Sequence, residues 1–287
     1  MNNPTANNPR FFNAENIFLF SKYFVYALLS YNAYLFFKGD VTASAQTYRD
    51  AVTWGNVVEA YAATFDDVAW LVLIVVFELE TAIIPDHLLK GAIKWTMDGL
   101  TFVAYIFIIY AFYGYCVKYV VLSDQAVFNI SDVCSLIGTD FTYVSTLDDY
   151  LPIDQTACTA IQGQTLMQVV GTSIIGTPLA LTEALRLAMV DIVNAADWLV
   201  IVVLLQIEVF LQLRDKLSQR LMITGKYVKG FFYLILFVCA IYWGVKSTFL
   251  DFWDAFLWLA SFIFIELNIF QWNTETEQEK EQLMKVR

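Results

Sequence analysis

Six long apolar stretches constrain this chain more than any other feature. They cover residues 17–37, 68–84, 99–122, 194–213, 230–246 and 252–270. Each can span a hydrocarbon core, which takes roughly 17–25 residues. Lipid offers the backbone no hydrogen-bond partners, so such stretches must satisfy themselves as helices. Hydrophobic residues make up 59% of the 287 and charged residues 16%, a balance suited to lipid rather than to a water-soluble globule. The expected fold is an all-α integral membrane protein, one transmembrane domain over 1–287 with six helices and a lipid bilayer as its first partner.

The net charge of −11 excludes a nucleic-acid binder, which needs a basic face. The distribution of cations sets the expected orientation. Lys90 and Lys94 lie between the second and third stretches. Arg214, Lys216, Arg220, Lys226 and Lys229 lie between the fourth and fifth, and Lys280, Lys285 and Arg287 lie in the tail at 271–287. Residues 119–165 carry no Lys or Arg but have Asp124, Asp132, Asp140, Asp148, Asp149 and Asp154. Both termini are therefore expected in the cytoplasm of a bacterium, with the protein in the inner membrane and 123–165 as an acidic extracytoplasmic loop. Cys134 and Cys158 fall in that loop and are expected to form a disulfide bond in an oxidising space. The segment before the fourth stretch, from Thr177-Pro178 to about 193, reads as an outer interfacial helix, with Thr as cap and Pro in the first turn. A counterpart is expected near 46–61.

A polar pattern recurs on three of the stretches. The second has Asp66, Trp70-Leu71, Glu78 and Glu80. The fourth has Asn194, Trp198-Leu199, Gln206 and Glu208. The sixth has Asp254, Trp258-Leu259, Glu266 and Asn268. The odd-numbered stretches end in aromatics and one lysine, Lys38, Lys118 or Lys246, where an ammonium can snorkel to the interface. This internal repeat of helical hairpins points to a pseudo-threefold bundle, an architecture common in transporters.

At 1.5 Å per residue the middle polar position lies roughly 12 Å beyond its Trp, near mid-bilayer when the Trp sits at the interface. Glu78, Glu80, Glu208 and Glu266 then lie in the membrane, where a charged carboxylate costs about 2.5 kcal/mol or more. Lys22 is the only basic residue well inside a stretch, toward its cytoplasmic end, so no lysine is expected at the depth of these acids.

The expected function is ion transport. Protons or cations would pass a bundle lined by Glu78, Glu80, Gln206, Glu208, Glu266 and Asn268, entering past Asp66, Asn194 and Asp254 at the outer face. The alternative is a non-catalytic scaffold, an accessory subunit of a larger membrane complex or a homo-oligomer, in which the same groups hold helices together. An intramembrane enzyme is the third reading, and the chain is not expected to be one. Neither a metal nor a cofactor is expected, since His87 is the only histidine and no CxxC occurs, too little for the usual zinc or haem ligand sets.

Overall fold

A computed structural model describes residues 14–47, 57, 61–85, 88–147, 149–213, 218–247 and 249–286. The chain divides into two compact units, Met1–Tyr105 with Trp253–Arg287, and Ile106–Phe252. Among the described residues the α-helices are α1 (Ala14–Thr47), α2 (Ala62–Glu78), α3 (Ala92–Ser123), α4 (Gln155–Ile161), α5 (Pro178–Leu213), α6 (Gln219–Lys246) and α7 (Phe249–Val286). Three carry a stretch long and apolar enough to cross a membrane: Ala92–Ser123, Pro178–Glu208 and Gln219–Lys246. The expected spans at 17–37, 68–84 and 252–270 fall on α1, on α2 with the turn after it, and on α7.

In the first unit α1 packs along α2. Beyond Glu78 the helix widens into a π-helical turn, Leu79–Ile83, where the Ile84 amide donates to the Leu79 carbonyl. Ile84 is extended, as the residue before Pro85 should be. The expected outer segment at 46–61 lies almost wholly outside the described residues, as does His87.

In the second unit the segment read from sequence as an acidic loop is folded. Strands β1 (Gln125–Phe128), β2 (Thr142–Thr146), β3 (Asp149–Pro152), β4 (Leu166–Val169) and β5 (Ile174–Gly176) form one sheet in the order β1-β4-β5-β2-β3. All neighbours are antiparallel except β2 and β5. One face of the sheet carries the cap built by Val133–Leu136 and α4, with Leu136, Cys158, Ile161, Leu166 and Ile175 buried together. A disulfide joins Cys134 to Cys158 across this cap, as the sequence led us to expect. On the other face Val144 and Val169 pack against Leu181, Ala184 and Ala188 of α5.

That second contact corrects the expected interfacial helix. The helix does begin at Pro178, and the Thr177 hydroxyl accepts from the Ala180 amide at 3.2 Å. It then continues to Leu213 as one helix of 36 residues, about 54 Å at 1.5 Å per residue and longer than the roughly 30 Å hydrocarbon core. Neither Gly nor Pro interrupts it after Pro178. Its first turns spend their apolar face on the sheet rather than on the membrane surface. Gly176 makes the approach possible, since a Cβ there would stand 3.1 Å from Leu181 Cγ and 3.3 Å from Val144 Cβ.

Candidate functional site

The lysines at the helix ends and within the helices decide what the acids can do. Within the first unit Lys22 Nζ of α1 lies 2.5 Å from Glu78 Oε1 of α2, both side chains almost fully buried. Tyr23 donates to the same oxygen at 3.2 Å, and the rings of Phe18 and Tyr23 flank the ammonium. Glu80 accepts from Lys94 at 2.8 Å, and Lys94 also pairs with Asp98 one turn on. Within the second unit Glu208 of α5 pairs with Lys229 of α6 at 2.6 Å. The expectation that no lysine reaches the depth of these acids is therefore wrong. Lys22 comes from a helix 56 positions away in sequence. Lys229, read as part of a basic loop, is inside α6, because that helix starts early behind Ser218, whose hydroxyl accepts from the Leu221 amide.

The lysines expected to snorkel are likewise engaged. Lys118 lies 3.5 Å from Asp191 and Lys246 lies 3.1 Å from Glu183. Both acids are on α5, and the two pairs hold the helix where it rises to the sheet.

A second polar level in the first unit gathers some of the outer residues. Asn32 of α1, almost fully buried, donates to Asp254 of α7 at 2.9 Å. Asp67 accepts from the Trp258 indole and lies within electrostatic reach of Asp254, Asp66 and Asp40. Asp40 accepts from both the amide and the hydroxyl of Thr64. Between this level and the Lys22–Glu78 pair lies a layer of buried Leu29, Trp70, Ile74 and Trp258, with the Trp70 and Trp258 rings edge to face at 6.3 Å. The second and sixth stretches thus meet at their motif tryptophans. Trp198 belongs to the other unit.

Other expected residues are dispersed. Gln206 is exposed on α5, while Asn194 and Glu266 are partly buried. The side chain of Asn268 lies outside the described residues.

Among the described residues three buried side-chain oxygens, Tyr26 Oη, Asp67 Oδ2 and Asp197 Oδ2, have no hydrogen-bond partner. None was singled out from sequence. Asp67 stands next to the in-register Asp66, and Asp197 immediately precedes the motif Trp198. Comparison with protein-family models, curated proteins and solved structures gave no match.

Proposed function

We infer that the chain moves protons across a membrane along a column of polar and protonatable groups in its first unit. One observation carries this reading. Around a lysine-paired acid and a hydrogen-bonded carboxylate level, Tyr26 Oη and Asp67 Oδ2 are buried without any partner. A buried polar atom left unsatisfied costs about 1–3 kcal/mol and gives the fold nothing in return. On α1 the groups follow one another as Asn32, Tyr26 and Lys22, spaced roughly 9 Å and 6 Å along the helix axis. The central acids are therefore Asp67, Asp254 and Glu78. Glu80, partly exposed beside Lys94, and Glu208, in the second unit, stand outside the column and are helix ties rather than carriers. A proton suits this column better than a metal cation, which needs several oxygen ligands converging on one point.

The architecture that serves this reading has six crossings in a bacterial inner membrane, both termini in the cytoplasm and the disulfide-stapled sheet outside. The hairpin repeat gains support from a shared detail. In both hairpins the third motif position, Glu80 or Glu208, pairs with a lysine of the next helix.

The scaffold reading draws on the same lysine pairs, since they fix how helices meet. Tyr26→Phe separates the two. Removing an unsatisfied buried hydroxyl should stabilise the protein by about 1–3 kcal/mol. In a scaffold that is the whole effect. In a proton path the same variant is more stable and passes protons more slowly in reconstituted vesicles. Tyr26→Phe at full wild-type flux would remove Tyr26 from the path, and folded wild type without flux would favour the scaffold.

A further inference from the structure

The acids of α5 form a series with one exception. The helix carries four, Glu183, Asp191, Asp197 and Glu208. Three meet a lysine from another helix, Lys246, Lys118 and Lys229 respectively. Asp197 does not follow the pattern. It is only 4% exposed, and its Oδ2 has no hydrogen-bond partner. It lies six residues beyond Asp191 and eleven before Glu208, roughly 9 Å and 16 Å along the axis, inside the membrane-crossing stretch of α5.

We propose that Asp197 is a proton-binding residue of the second unit, holding its proton as a neutral carboxylic acid within the bilayer. A single buried carboxyl offers a metal cation at most two oxygen ligands, whereas one proton neutralises the group outright. The titratable group facing it from α6 is the Cys239 thiol, which is buried and within electrostatic reach of Asp197 and Asp191. From its own helix the nearest is Asp191, which Lys118 of α3 engages. The role of this proton in transport rests on the reading given above for the first unit, while its binding does not.

Infrared spectroscopy of the full chain in lipid nanodiscs tests the assignment. At neutral pH the wild type should show the carbonyl stretch of a protonated carboxyl, downshifted in heavy water. Asp197→Asn should remove that band, and Asp197→Glu should displace it. Should the asparagine variant fail to fold, the glutamate variant alone reads the site. A carboxyl band unmoved in whichever variant folds would overturn the proposal. Proton flux measured on the same samples keeps the two readings apart. An Asp197 band without wild-type flux would retain the binding site and sink transport. Wild-type flux without an Asp197 band would sink the binding site alone.

Discussion

Replacing Glu78 with Gln would leave the Lys22 ammonium buried without its counter-charge, and removing one partner of such a pair costs about 3–5 kcal/mol. Glu78→Gln should therefore lower the unfolding midpoint in detergent sharply. The double variant Lys22→Met with Glu78→Leu removes both charges and should restore stability to near wild type. A double variant as unstable as the single one would mean that the pair is not what the substitution breaks. Glu78 was legible in the sequence because its register recurs on two other stretches. Its partner was not, because Lys22 reaches it from a helix 56 positions away, and no spacing within one helix reports a contact between two. Asp67 and Asp197 escaped for a related reason. Whether a carboxylate oxygen has a donor is decided by the packing of neighbouring helices.

At the scale of elements, α5 couples a stretch long and apolar enough to cross a membrane to the sheet, and its first turns are the joint. Leu181 is fully buried there, so Leu181→Ala should cost about 2–5 kcal/mol and speed hydrogen exchange in β4 and β5. Gly176→Ala would force a methyl against Leu181 and Val144 and should cost about 1–3 kcal/mol by overpacking. Reducing the Cys134–Cys158 bond frees a loop closed across 24 positions and should destabilise the cap by about 2–5 kcal/mol. Exchange that rises over 125–176 while α6 stays protected would locate the loss. The start of α5 was readable from Thr177-Pro178, but its continuity was not, because apolar turns packed on a sheet look the same in sequence as turns lying on a membrane. The sheet itself was hidden by strands of three to five residues, too short for alternation to show.

For the whole molecule, the apolar stretches pointed to the helical class, and among the described residues three helices carry enough length and apolarity to cross a membrane. Cysteine labelling at Asp140 and Arg220 positions should find the former accessible from outside and the latter from the cytoplasm. Both on one side would refute the proposed orientation. The central claim is that protons cross, and flux through the purified chain tests it most directly. Vesicles containing the wild type and a trapped pH-sensitive dye, driven by a potassium diffusion potential, should change internal pH well above protein-free vesicles. Asp67→Asn, which keeps the shape and removes the titrating group, should reduce that rate at least about tenfold, a barrier increase of about 1.4 kcal/mol. Folded wild-type protein that passes no protons under either polarity of potential would contradict the account.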